Sequence, residues 1–262
     1  MKTRIVKPVV AATLMALGSV SAHAANDRYI VQVDVAGKGI VKALSKQLGG
    51  QIEVESDGFI AVTFAGKSLE QVKGVLNNPH VKLIEEDHIR RPMALFNDDP
   101  GNPDTQQLTP YAVYQSQANL LTLQLNNAKK VCVIDSGIAR ETGETGGYNP
   151  DFDWNTVTGD SDSGTGDWFR DGGPHGTHVA GTIAAANNTY GVVGMAPGNP
   201  LHIIKVFNDA GWGYSSDLAH AANKCAAAGA KIISMSLGGG GANNTEENAF
   251  KSFTDAGGLV LA

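Results

Sequence analysis

The sequence predicts an α/β protein, a doubly wound, mainly parallel sheet preceded by a small α+β module. Three observations carry this. Glycine supplies 32 of 262 residues while aromatics make up only 6%, so the core is built from small aliphatic side chains joined by many tight turns. In the second half, short apolar runs alternate with alanine-rich stretches of helical period, the pattern of strands buried on both faces under crossover helices. Between the halves, Arg90 to Asp104 carries three prolines and no apolar period, the composition of an exposed, protease-sensitive linker.

The elements follow in order. Lys2, Arg4 and Lys7 precede an apolar stretch from Val9 to Val20, and Ala22-His23-Ala24 then gives the small-x-small pattern of a signal-peptidase site. Residues 1–24 are therefore read as an export signal. The run is too short and too interrupted for a membrane anchor, so after signal cleavage no membrane association is expected. Residues 25–91 begin with a strand at Tyr29–Val33 and a helix from Gly39 to Leu48. Strands at Gln51–Val54 and Gly58–Phe64, a helix from Ser68 to Leu76 and a strand at Val81–Glu85 follow. The order βαββαβ is that of a ferredoxin-like sandwich, of a size at which one core gives marginal stability without a partner. Residues 92–106 are the linker. In residues 107–262, strands are expected at Lys130–Ile134, His202–Phe207, Lys231–Ser236 and Leu259–Ala262. Helices are expected at His178–Ala186 and Ser216–Ala228, with an acidic, glycine-rich loop over 159–173.

A formal net charge of −6 with no Lys/Arg cluster excludes nucleic-acid binding as the main task. Cys132 and Cys225, the only cysteines, are too few for a disulfide framework and lack metal-ligand spacing. Export permits a bond between them, and two buried thiols are the other reading.

In an open α/β sheet, ligands gather at the carboxyl ends of strands. Asp135 ends the run Val131–Ile134 and is followed at once by a Ser-Gly turn, so it is either a turn former or held for a partner. That partner is offered by Pro174-His175-Gly176-Thr177-His178, where His175 opens a helix. An aspartate that fixes a histidine tautomer is half of a nucleophilic triad. Zinc binding by His175 and His178 lacks the intervening glutamate and a third ligand, and His178 is read as a buried structural histidine.

Four segments then carry a resemblance. Val-Ile-Asp-Ser-Gly-Ile at 133–138, His-Gly-Thr-His-Val-Ala-Gly-Thr at 175–182, Gly-Val-Val-Gly-Met-Ala-Pro at 191–197 and Ser-Met-Ser-Leu-Gly-Gly at 234–239 resemble subtilisin-type serine proteases, in the right order. Tyr29-Ile30-Val31 and Ile84-Glu85-Glu86-Asp87-His88 resemble the propeptide inhibitor domain of the same precursors. The resemblance implies catalytic roles for Asp135, which orients, and His175, which acts as general base and then acid. It implies a substrate groove between Gly211-Trp212-Gly213 and Ser236-Leu237-Gly238, where a peptide is held as an added strand. It also implies a structural Ca²⁺ site built from Gln107, Asp151, Ala186, Asn188, Tyr190 and Val192, an all-oxygen set suited to a hard cation. Asp160, Asp162, Asp167 and Asp171 are either a second calcium site or, more commonly for such a loop, a solvated acidic surface.

The family's Gly-Thr-Ser-Met-Ala nucleophile motif and its oxyanion asparagine have no match here. The resemblance thus implies a secreted or periplasmic, monomeric endopeptidase precursor, recorded as an amino-terminal part that is inactive as given. Its partners are protein or peptide substrates and its own propeptide, acting as inhibitor and chaperone. The alternative is a noncatalytic secreted inhibitor or a pseudoprotease that only binds peptides.

Overall fold

The computed structural model describes residues 27–92, 101–103, 105–142, 147–162, 164–189 and 191–262. The expected leader, linker residues 93–100 and 104, and the ligand candidate Tyr190 lie outside them. The first module runs β1 (Arg28–Val33), α1 (Lys38–Gln47), β2 (Gln51–Ser56), β3 (Phe59–Thr63), α2 (Leu69–Val75) and β4 (Val81–Glu86), in the expected βαββαβ order. Its strands form an antiparallel sheet, β2-β3-β1-β4. Ser68 starts α2 with a reciprocal capping box to Gln71, which satisfies two otherwise orphan helix amides.

Side-chain period two gives this sheet two different faces. Tyr29, Val31, Ile60 and Val62 pack with Val41 of α1 and Val72 of α2. Ile30, Val54, Phe59 and Ala61 point the other way. After β4 the chain forms β5 (Ile89–Pro92). Arg90, read as the start of an exposed linker, is instead buried within this strand.

The second module continues with α3 (Tyr111–Gln115), β6 (Val131–Asp135), the hairpin strands β7 (Glu141–Thr142) and β8 (Gly147–Tyr148), β9 (Val157–Asp160) and α4 (His175–Ala184). Then come β10 (Leu201–Lys205), β11 (Gly213–Tyr214), α5 (Ser215–Ala227), β12 (Ile232–Ser234), β13 (Leu237–Gly238), α6 (Asn244–Asp255) and β14 (Leu259–Leu261). A parallel sheet of order β14-β12-β6-β10-β9 forms its centre.

Both faces of this sheet are covered. Cys132, Ile134, Ile204 and Ile233 pack against Leu218, Ala221 and Ala222 of α5 and Phe253 of α6. Val131, Val133, Leu201 and Ile203 pack against Ala180 and Ala184 of α4. The continuous apolar runs of β6 and β10 reflect this two-sided burial. Cys132 of β6 and Cys225 of α5 are joined in a disulfide, so the thiol reading is set aside. The expected loop over 159–173 begins inside a fifth strand, β9. That strand sits at the sheet edge and alternates a buried Val157 with polar and glycine positions, so it lacked the apolar run that marked the others. Gly159 is needed there, because a Cβ would run into the Trp168 ring and the Ile203 carbonyl.

The unoccupied face of the first module's sheet lies on the second module. Ala219 of α5 and Ala249 of α6 complete the cluster of Ile30, Val54, Phe59 and Ala61, where each fully buried large apolar side chain contributes about 1.5–3 kcal/mol. Among the described residues, no helix is long and apolar enough to cross a membrane.

Candidate active site

Asp135 and His175 meet because β6 ends where α4 begins. His175 Nδ1 lies 2.8 Å from Asp135 Oδ1 and 2.9 Å from Oδ2, with both residues buried. Asp135 Oδ1 also accepts the Ser136 amide at 2.7 Å. Burial pushes the Asp135 carboxyl above its usual range, and the hydrogen bonds from His175 and Ser136 pull against that shift. With Nδ1 engaged, Nε2 is the free end of the ring. It is buried and has no hydrogen-bond partner among the described residues.

Ser136, to which the sequence reading gave no role, and Asp171, which it placed in an acidic loop, hold this geometry. Ser136 Oγ donates to Asp171 Oδ1 at 2.6 Å and accepts the Gly176 amide at 2.9 Å. Asp171 Oδ2 accepts the Thr177 amide at 2.8 Å and is also bonded by the Thr177 hydroxyl. They therefore tie the amino end of α4 to the carboxyl end of β6, and the negative charge of Asp171 complements the helix dipole. A readable signal existed: an acid a few residues before a helix start is a capping candidate. Asp171 is thus a structural cap, which corrects its place in a solvated acidic loop. Gly176 is required by contact, since a Cβ would overlap the Gly137 carbonyl. His178 is exposed on α4, which corrects its reading as a buried histidine; the buried one is His175.

The two groove segments flank β5. It runs antiparallel to both neighbours, with Arg90 opposite Gly213 and Ile89 opposite Tyr214 on one side. On the other, Pro92 faces Leu237 and Arg91 faces Gly238. Of Gly211-Trp212-Gly213, only Gly213 lies in the ladder. Gly211 turns the chain at φ +74°, and Trp212 is half-buried, edge-on to Tyr214 with ring centres 5.3 Å apart. Leu237 and Gly238 are paired, while Ser236 precedes the strand.

Acidic side chains of the first module reach two helix starts of the second. Asp87 accepts the Ser216 amide at 2.8 Å and Arg28 Nε at 2.7 Å. Glu85 accepts the Asn244 and Thr245 amides at 2.9 and 2.8 Å. Arg28 also contacts Asp217 at 3.2 Å and stacks over the Tyr214 ring.

The expected calcium ligands come partly together. Gln107 Nε2 lies 2.9 Å from the Ala186 carbonyl and 3.1 Å from Asn188 Oδ1. Asp151 accepts the Ala186 amide through its main chain at 2.7 Å. Its Oδ1 is buried without a partner among the described residues, and burial raises its pKa. Val192 forms a bridge with Leu108 beside this loop. Turning the Gln107 amide would present a third oxygen beside those of Ala186 and Asn188, an arrangement that a bound cation would stabilise. The donor set fits Ca²⁺. No group of three or more His, Cys, Asp or Glu side chains suited to a metal occurs among the described residues, so Asp160, Asp162, Asp167 and Asp171 do not gather.

Known proteins resemble this chain along most of its length. The family model described as the subtilase family matches residues 126–261. Subtilisin E of Bacillus subtilis (strain 168) is 32% identical over 264 residues, covering 95% of this chain and 62% of that protein. Subtilisin of Bacillus pumilus is 36% identical over 161 residues, 60% of this chain and 54% of that protein. The chain thus spans less than two thirds of the length of these relatives. The crystal structure of fervidolysin from Fervidobacterium pennivorans, a keratinolytic enzyme related to subtilisin, shares the fold. Its TM-score is 0.64 at 23% identity, over 89% of this chain and 39% of that one. With the family match spanning more than half of the residues and containing both Asp135 and His175, the chain belongs to the subtilase family.

Proposed function

We propose that this chain supplies the Asp–His half of a Ser-His-Asp endopeptidase, within an exported precursor whose residues 25–91 act as inhibitor and folding aid. The carrying observation is the pair Asp135–His175 with an unpartnered Nε2. That nitrogen is the one that takes a proton from an attacking serine and returns it to the leaving amine, while Asp135 holds the tautomer and stabilises the imidazolium. No serine of the described residues hydrogen-bonds Nε2; on this reading the nucleophile lies outside the described residues, and residues 25–262 alone would hydrolyse nothing.

The antiparallel seating of β5 supports the inhibitor reading, because main-chain pairing on both sides is how an extended peptide is bound irrespective of much of its sequence. Protein or peptide substrates would take the same place. Calcium, held by Gln107, Asp151, Ala186, Asn188, Tyr190 and Val192, would supply structural cross-linking of the residue 107 and 186–192 segments and no chemistry. The noncatalytic, peptide-binding alternative draws on the same missing serine.

The test compares residues 25–262 with the complete gene product that carries them. The shorter chain is expected to hydrolyse no mixed peptide substrate and to take no serine-directed fluorophosphonate label. The complete product should do both. Labelling of any serine within the 262 residues would refute the assignment, and inactivity of the complete product would favour the binding alternative. Isolated residues 26–96 should inhibit the matured enzyme slowly and tightly.

A further inference from the structure

The ladder around β5 reads backbone, but one side chain of β5 is read as well. Arg90 is buried and its guanidinium is surrounded by acceptors of the second module. Nε donates to Glu246 Oε2 at 3.1 Å, and Nη2 donates to the same carboxylate and to the Gly241 carbonyl at 3.2 Å. Nη1 donates to the Gly239 carbonyl at 2.6 Å. This is a fork against a carboxylate with two carbonyls beside it, the geometry that distinguishes arginine from the point charge of lysine.

The cradle is built by the second module alone. Glu246 sits in the first turn of α6, where Asn243 caps its amide at 3.0 Å and the helix dipole favours a carboxylate. Gly240 turns at φ +69°, and a Cβ there would run into Arg90 Nη1. The glycine run thus opens space for the guanidinium and leaves carbonyls facing it. When β5 departs, Glu246 and these carbonyls remain beside the groove. A substrate strand in the same register places one residue opposite Gly213, two before the residue opposite Leu237, and its side chain arrives where Arg90 was.

We infer that Glu246 is a specificity-determining residue that selects arginine in the substrate at the position opposite Gly213. This rests on the proteolytic reading above and names its substrate class: extended peptides with arginine a few residues ahead of the bond that is cut. A neutral side chain there forfeits charge-assisted hydrogen bonds, a discrimination of about 10- to 100-fold.

The experiment uses the complete, matured protease and a peptide series with Arg, Lys, Leu or Glu placed in turn at each of the residues ahead of the scissile bond. One position is expected to favour Arg over Leu by about 10- to 100-fold in kcat/KM, with Lys between them. Glu246→Gln should bring that ratio to within about threefold, Glu246→Asp should keep its sign, and Glu246→Arg should move the preference to Glu. A purely structural Arg90–Glu246 pair would not invert substrate preference. Cleavage with no arginine preference, or a preference that survives Glu246→Gln, overturns the inference while leaving the protease reading intact. Failure to cleave any peptide overturns the protease reading, and the inference with it.

Discussion

Asp135 is fixed from three directions: by the strand that ends on it, by the Ser136 amide and by His175 Nδ1. Replacing it with asparagine preserves shape but offers an amide to a ring nitrogen that must carry the proton. On the proposed function, the complete gene product with Asp135→Asn is therefore expected to lose about 10⁴-fold in kcat, a magnitude taken from triad enzymes, subtilisin included. Steady-state hydrolysis by variant and parent, each checked for native thermal unfolding, measures it. Asp217 behaves differently. Burial pushes its pKa up to about 6, against the pull of Arg28. A carboxyl raised in the folded state contributes stability that is fully present below about pH 4 and lost as pH rises through about 6. With the side chain 20% exposed, solvent screening trims the loss to about 1–2 kcal/mol by pH 7. Urea midpoints between pH 4 and 7 should fall accordingly, and Asp217→Asn should flatten that part of the profile.

Among elements, β6 and α5 are covalently tied by Cys132–Cys225 across a sequence separation of 93. Closing so long a loop restricts the unfolded chain by about 4–5 kcal/mol in the chain-entropy account. Thiol counting in denaturant without reductant should find none, and the double variant Cys132→Ala/Cys225→Ala should unfold about 3–4 kcal/mol more easily by urea titration. The short strand β5 gains its order from both neighbours, since four residues with no sheet of their own cannot hold a strand. On the proposal that Gln107, Asp151 and the 186–192 segment hold calcium, the ion would cross-link these segments. Chelation should lower the thermal midpoint of the parent by several degrees and leave Asn188→Ala nearly unchanged.

At the scale of the molecule, the first module is a sheet with one face closed by its own helices and the other closed by α5 and α6. Placing a charge in that contact leaves it buried and unpaired, which costs several kcal/mol. Ala219→Arg should therefore separate the modules while each keeps its own core. Hydrogen exchange provides the check: amides of β5 should lose protection, whereas those of β6 and β10 should keep theirs. Retained β5 protection would mean that the ladder with β11 and β13 suffices to hold the modules together.

What the sequence determined by itself is local or periodic. The βαββαβ order and the apolar strands beside alanine-rich helices could be read because each rests on spacing along the chain, and Asp135 and His175 could be named because the motifs around them are short and local. The edge strand β9 was hidden, since an edge needs no apolar run. The burial of Arg90 was hidden too, because a proline-rich stretch carries no mark of the groove that receives it. Only the tertiary structure decided that Asp87 and Glu85 complete helix starts more than a hundred residues away and that Cys132 and Cys225 are bonded. Each of these is a meeting of segments distant in sequence, and such meetings are settled by how the two sheets and their helices pack, which no single segment encodes.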